Sequence, residues 1–269
     1  YFDLAAALAT AESLKLPEEY QPFVLKAKEM LSFLELTLEA LPLGEKFLSQ
    51  ERQTILVLLQ NNMELRPTGG FIGSYALLNF FQGKLADFKV YDVYEADGQL
   101  RGHVEPPADL KQYLGEDGWY LRDANWSPSF PKTAVQAAWF LEKEVGQKVD
   151  GVWAINLEVA KRVLEATGGV YLPDYNEEIT AENLFERAEY HSEVNFFPGS
   201  TQKKDFLGTL SFALFGKIKG EGTSLFGLGE ALLESLTGRD FLLYFNNQEM
   251  EKAAANLGFD GALKQAKCF

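Results

Sequence analysis

The densest run of polar and glycine residues in the sequence is Gln60-Asn61-Asn62-Met63-Glu64-Leu65-Arg66-Pro67-Thr68-Gly69-Gly70-Phe71-Ile72-Gly73. It lies between two strongly apolar segments. Gly69-Gly70 lets backbone N–H groups approach an anion closely and form a concave nest. Arg66 adds a planar fork that matches phosphate oxygens, with Asn62 and Thr68 as neighbouring polar contacts. The run has no Gly-Lys-Ser/Thr ending, and the chain has no Gly-x-Gly-x-x-Gly, so neither nucleotide-loop pattern applies. The same residues also suit a tight structural turn in which Arg66 pairs with a carboxylate. From the residues alone, both readings stay open.

A second run is Leu121-Arg122-Asp123-Ala124-Asn125-Trp126-Ser127-Pro128. Arg122, Asp123 and Asn125 close together suit a bound ligand and a hydrated metal, and Trp126 suits an apolar tail or a sugar face. Asp, Asn, Ser and Pro are also turn formers, so an Asx-type turn capping the next helix is the alternative. A third group, Asp92, Glu95 and Asp97, follows a strand. Carboxylates at a strand end can hold Mg²⁺, although solvated surface charge is the default in so acidic a chain. His103 and His191 are far apart and have no metal-ligand spacing. Cys268 is the single cysteine, which excludes an internal disulfide framework and a Cys-rich zinc site. No Ser-His-Asp or Cys-His set can be assembled.

The elements that would position these groups read as follows. Residues 3–16 and 18–41 have helical spacing on either side of Pro17. Phe23, Met30, Leu31, Leu34, Leu38 and Leu41 form the second stripe, which Pro42 and Gly44 should close. Packing of this hairpin against the core is expected; a spacer lifting a domain off a membrane is the functional alternative. Residues 54–59 are a buried strand, 71–81 a second, and 85–94 a third after a Gln82-Gly83 turn. A Pro/Gly/Asp-rich excursion over 95–131 has the length of a functional loop or lid. Then come a helix at 131–145, a strand at 149–156, a helix at 157–166 ended by Gly168-Gly169, and a short strand at 170–172. Helices follow near 180–190, 202–218 and 223–237, then a strand at 240–245 and a helix at 247–257. Apolar strands alternating with helices imply an α/β fold, a mixed central sheet with helices on both faces. The reading divides it into a helical hairpin or spacer at 1–50, an α/β core at 51–180, and a helical extension at 181–269 completing the same domain.

Composition narrows the function classes. The chain has 269 residues, with 25 Lys plus Arg against 39 Asp plus Glu, a formal net charge of −14. An acidic balance argues against nucleic-acid binding and against attraction to anionic lipid. The longest unbroken apolar runs, such as Leu4–Ala9 and Ile55–Leu59, are too short to span a membrane. The chain starts at Tyr1 and reads as a piece of a longer protein, with any membrane anchor outside it.

These segments carry a resemblance. NNMELRPTGGFIGSYALL, KVYDVYEADGQL, VEPP, LRDANWSPSFP and VDGVWAINLEVAKRVLEATGGVYLP, in this order and spacing over roughly 45–185, look like the domain of unknown function family 4012. That resemblance implies a bacterial cell-envelope protein, extracytoplasmic and membrane-anchored. The same order is more distantly similar to the LytR-CpsA-Psr family, which transfers glycopolymers from a polyprenyl-pyrophosphate carrier to peptidoglycan. What it implies here is binding of a polyprenyl-(pyro)phosphate-linked glycopolymer, with transfer to a cell-wall acceptor, on a LytR-CpsA-Psr-like fold. Arg66, Asp92 and Asp123 become the catalytic residues. Asn62, Thr68, Gly69, Gly70, Arg122, Asn125 and Trp126 become the ligand-binding residues, and Asp92 and Asp123 the Mg²⁺ ligands. The chain departs from that family in two places. Asn62 stands where it has an aspartate, and its Pro-Arg-Asp after the hairpin is replaced by Val-Tyr-Asp ending in Asp92. Loss of carboxylates weakens a Mg²⁺ site. The alternative is therefore a non-catalytic module binding glycan or protein through Trp119, Trp126 and the Pro-rich loop. A third reading makes 1–50 and 180–257 oligomerisation helices.

Overall fold

The structure is a computed structural model that describes residues 17–194, 206–220 and 224–263. The helix expected at 3–16, the starts of the helices expected at 202 and 223, and Cys268 lie outside these residues.

The centre is a five-stranded sheet whose strands lie in the order Lys84–Asp92, Phe71–Phe81, Arg52–Asn61, Gly151–Ile155, Phe241–Phe245. β1 (Arg52–Asn61) pairs antiparallel with β2 (Phe71–Phe81), and β2 antiparallel with β3 (Lys84–Asp92). β1 also pairs parallel with β4 (Gly151–Ile155). Ile55–Leu59 is buried without a break. A strand reads this way when both faces are covered, because its alternating side chains all leave water. The β2–β3 hairpin turns at Gln82 and Gly83, both with positive φ (48° and 71°), the backbone of a type I′ turn that matches strand twist.

On one face, Leu56, Leu58, Tyr75 and Val152 pack under α4 (Phe130–Val145), which contributes Phe130, Ala134, Ala137, Phe140 and Leu141. On the other, Ile55, Val57, Leu59, Ala76 and Leu78 meet Phe47 and Phe215. These belong to α1 (Gln21–Leu48) and α7 (Phe206–Lys219). The expected mixed α/β fold with helices on both faces is what forms.

Beyond β4 the chain builds a smaller second core. α5 (Leu157–Thr167), the β5–β6 ribbon (Val170–Leu172 and Glu177–Ile179), α6 (Leu184–Val194), α7 and α8 (Leu225–Thr237) enclose it. Leu164, Leu172, Ile179, Leu184 and Leu210 lie at its centre. β7 (Phe241–Phe245) then returns to the main sheet, antiparallel to β4, and α9 (Gln248–Leu257) closes the chain against α1.

The structure corrects four expectations. α1 does not stop at Pro42 but runs to Leu48. A proline removes one N–H and crowds one carbonyl, and here the next turn is held by Leu43 and Phe47 in the core. The stripe expected to pack is also the wrong one. Phe23, Met30, Leu34, Leu38 and Leu41 are exposed, and Leu36, Ala40, Leu43 and Phe47 face the core. Finally, the 95–131 excursion is not one long loop. The strand ends at Asp92, whose side chain caps α2 (Val93–Asp97). α3 (Ala108–Leu114) follows, closed by Gly115 at φ 69°, and then a 3-10 turn over Leu121–Trp126. The last of the smaller differences is at α6, which starts at Leu184 rather than near 180, because Asn183 Oδ1 accepts the Thr180 N–H at 2.8 Å and holds 180–183 as a turn.

Candidate functional site

The Asn61–Gly70 loop leaves the carboxyl end of β1 and folds back over it. Gly69 and Gly70 have φ of 109° and 129°, and this lets the chain lie against the strand it has just left. A Cβ on Gly70 would sit 2.2 Å from the Asn61 carbonyl oxygen, and one on Gly69 2.4 Å from Gln60 Oε1. Asn125, fully buried, donates from Nδ2 to the Gly70 carbonyl at 2.6 Å. This bond ties the glycine loop to the 3-10 turn that carries Arg122 and Asp123.

Arg66 and Arg122 converge on one carboxylate. Arg66 Nη2 lies 3.6 Å from Asp123 Oδ1, and Arg122 Nε 3.3 Å from Oδ2. Asp123 is 1% exposed, and neither oxygen has a hydrogen-bond donor. The attraction is therefore Coulombic. Arg122 also holds Asp97 Oδ2 at 2.9 Å and Glu116 Oε2 at 2.8 Å, with its guanidinium over the rings of Tyr120 and Tyr94. Burial works against the Arg122 charge, but Asp97 and Glu116 outweigh it and push its pKa up. Glu144, buried on α4, accepts the Leu121 N–H at 3.1 Å and so fixes the start of the 3-10 turn.

Most of the buried side-chain N and O atoms without a hydrogen-bond partner, among the described residues, fall here. They belong to Gln60, Asn62, Arg66, Asp97, Asp123, Asn125 and Glu144, against Ser74, Trp153 and His191 elsewhere. Buried polar groups are normally paired, so this concentration sets the cluster apart from the rest of the described fold.

A profile of the family described as Protein of unknown function (DUF4012) matches residues 50–192, just over half of the chain and the whole of the region above. The chain belongs to this family. No curated protein matches it in sequence. Among solved structures, the DUF4012 chain is similar to protein gbs0355 from Streptococcus agalactiae, at 15% identity and a TM-score of 0.47, covering 78% of this chain and 73% of that one. It is also similar to B. subtilis TagV, at 13% identity and a TM-score of 0.41, covering 78% and 81%. Lin1025 from Listeria innocua shows 14% identity and a TM-score of 0.35, covering 79% and 80%.

The DUF4012 fold thus brings Arg66, Arg122 and Asp123 together and joins Gly70 to Asn125. Asn62 lies in the Arg66 loop with its Oδ1 buried. Thr68 is turned inward, with Oγ1 3.5 Å from Thr133 Oγ1. Trp126 ends the 3-10 turn, half-buried, while Trp119 packs against the core and donates from Nε1 to the Asp123 carbonyl at 2.9 Å. Asp92 accepts the Tyr94 N–H at the start of α2, and it is Asp97, at the other end of that helix, that joins Asp123 around Arg122. In the sequence Asp97 belongs to the third acidic group, read as carboxylates able to hold Mg²⁺ or as surface charge, whereas Glu116 and Glu144 belong to none of the candidate groups. Glu144 did leave a signal, because it follows Phe130, Ala134, Ala137 and Leu141 at helical steps on the face that the core needs apolar.

Two of these acids make stability depend on pH. Burial chiefly, then Asp97, lifts Glu144 from 4.5 to about 8. Burial lifts Asp97 from 3.8 to about 6, against the pull of Arg122. A raised carboxyl pKa means that the folded chain holds protons which the unfolded chain has released, so stability falls as pH rises from the unfolded to the folded value. The window is about 4.5 to about 8 for Glu144 and 3.8 to about 6 for Asp97. Glu105, Glu182 and Glu249 are lowered and so act below this window. Urea unfolding is expected to give a stability lower at pH 8 than at pH 5.5 by about 2–4 kcal/mol, and Glu144→Gln should flatten the slope. Equal stability at the two pH values in the wild type would show that Glu144 does not titrate in this way.

Proposed function

We propose that this chain is the extracytoplasmic domain of a bacterial cell-envelope protein, anchored by a segment outside it, and that the Arg66–Asp123–Arg122 cluster binds the phosphate or pyrophosphate of a polyprenyl-linked glycopolymer. The supporting observation is the convergence of two guanidiniums from separate loops on a carboxylate without hydrogen-bond donors, amid the unpartnered polar atoms just described. Their side chains are 14% and 17% exposed, so an anion can reach them from the surface. No helix among the described residues is long and apolar enough to cross a membrane.

In this reading a phosphate takes guanidinium N–H groups now facing Asp123, and that carboxylate turns to a second partner. Burial already raises the Asp123 pKa against the pull of Arg122 and Arg66, so a proton is one such partner. Mg²⁺ is the other, and the unbonded Asp123 oxygens suit it as ligands. Among the described residues no group of three or more His, Cys, Asp or Glu side chains is arranged to hold a metal, so phosphate oxygens and water would complete its shell. Bound there, Mg²⁺ would neutralise phosphate charge. Arg66 and Arg122 would orient the phosphate, and positioning with charge neutralisation is what phosphoryl transfer to a cell-wall acceptor requires.

Calorimetry with a short-chain polyprenyl pyrophosphate, with and without Mg²⁺, tests this. Binding is expected in the wild type and at least ~10-fold weaker binding in Arg66→Ala, from the loss of a charge-assisted contact. Unchanged binding in the mutant removes the assignment. The acid excess, with Asp97, Glu116, Asp123 and Glu144 around two arginines, favours a second reading, a non-catalytic glycan- or protein-binding envelope module. A carbohydrate-array signal independent of Mg²⁺ and Arg66 would support that module.

A further inference from the structure

Helix α1 is apolar on two opposite sides, and only one has a partner. Leu36, Ala40, Leu43 and Phe47 line the side against α8, α9 and β7, extended by Phe33, whose ring lies 5.4 Å from that of Phe226. Rotated by roughly half a turn is the stripe Val24, Ala27, Leu31, Leu34, Leu38, Leu41. Its steps alternate strictly between three and four residues, and it resumes at Leu48 after Glu45. This is the a/d spacing of a coiled coil, unbroken for about two and a half heptads from Val24 to Leu41. Leu34, Leu38, Leu41 and Leu48 are 43–58% exposed. A globular surface helix shows one such stripe, not two.

We propose that this seam pairs with the α1 of a second copy of the chain, antiparallel, in the register that sets Leu31 against the partner's Leu34. The same register sets Val24 against the partner's Leu41 and Ala27 against the partner's Leu38. It leaves Tyr20, half exposed just before the helix, opposite the partner's Glu45. The residues flanking the seam decide the direction. In the antiparallel register Lys28 falls beside the partner's Glu35, and the two-fold axis repeats the pair. On the other flank Met30 falls beside the partner's Thr37. A parallel pair would instead place Phe23 beside the partner's Lys28 and Met30 beside the partner's Glu35, with no opposite charges meeting. Flanking charge pairs set orientation in coiled coils. The helix is 28 residues long, about 42 Å at 1.5 Å per residue, enough for the whole seam. Near its end Gly44 has open space around it, so a second helix can approach closely.

The test uses the 269-residue chain in size-exclusion chromatography with light scattering over a range of concentrations. The expected mass is twice 30.1 kDa at the upper concentrations. Lys28→Glu alone and Glu35→Lys alone each replace two attractive pairs with two repulsive ones and should weaken dimerisation by about tenfold. The double variant Lys28→Glu/Glu35→Lys restores both pairs and should return to wild-type dimerisation. Leu34→Glu/Leu38→Glu should be monomeric at every concentration, with an unchanged far-UV circular dichroism spectrum because both side chains are exposed in the single chain, and with a melting temperature that no longer rises with concentration. A monomer throughout, or single charge reversals without effect, overturns the proposal. So does stripe-dependent binding of a monomer to phosphatidylcholine vesicles, which would make the seam a lipid-facing surface.

Discussion

Arg122→Ala should destabilise the domain by about 3–5 kcal/mol, the range found when a buried ion pair loses one partner. The size of the effect follows from what the guanidinium holds. Asp97 and Asp123 are 5% and 1% exposed, and Glu116 is partly exposed; all meet the same planar group. Without it, two buried carboxylates lie close together with Arg66 as the nearest opposing charge, 3.6 Å from one of them. They must take up protons or open the 3-10 turn to water. Lysine cannot substitute, because a single ammonium cannot present three separate N–H vectors in one plane between the rings of Tyr94 and Tyr120. Urea denaturation of Arg122→Ala and Arg122→Lys checks this, and adding Asp97→Asn to Arg122→Ala should recover part of the loss. If Arg122→Ala stays within 1 kcal/mol of wild type, the cluster is solvated rather than buried.

Gly70→Ala should cost at least ~3 kcal/mol, which for a chain of this size lowers the melting temperature by roughly 6–12 °C. Two causes add. A φ of 129° is rarely adopted by a residue with a side chain, and the new Cβ would lie 2.2 Å from the Asn61 carbonyl oxygen and 2.6 Å from the Asn62 nitrogen. Those atoms are backbone at the end of a buried strand and cannot swing aside. Gly102→Ala separates the two causes, because Gly102 has φ 97° but nothing within 4 Å of its would-be Cβ. It should lower the melting temperature far less. Equal effects at the two positions would mean that the loop relaxes freely away from β1, and the link between Gly70 and Asn125 would then have no structural weight.

The site was partly legible in the residues. The turn reading of the glycine loop named Arg66 paired to a carboxylate, and the fold identifies that carboxylate as Asp123. A nest open to anions was the other reading, and the contacts show what the glycines permit: Gly70 lies against the Asn61 backbone, and Gly69 against the Gln60 side-chain amide. Which acid would share Arg122 could not be read, because Asp97, Glu116 and Asp123 meet only after α2, α3 and the 3-10 turn are placed by long-range packing. The strands were legible because both faces are covered, leaving continuous apolar runs such as Ile55–Leu59. The periodicity of α1 was legible as well, but period alone does not say which of two apolar stripes meets the core. That is decided by α8, α9 and β7, which lie far along the chain.

The position of β7 bears on how the chain comes to be folded. β4 is hydrogen-bonded to β1 on one side and to β7 on the other, and its last partner, Phe245, lies near the end of the described residues. During synthesis the β1–β2–β3 meander can assemble from neighbours in sequence, and β4 can join it once residue 155 has emerged. Its other edge then stays open while about ninety further residues, most of them helical, are translated. That edge carries Val152, Trp153 and Ala154, an apolar strand of the kind that recruits stray partners. The open edge of β4 is therefore vulnerable to mispairing from the emergence of residue 155 until β7 arrives, and β7 acts as a closing latch on the sheet.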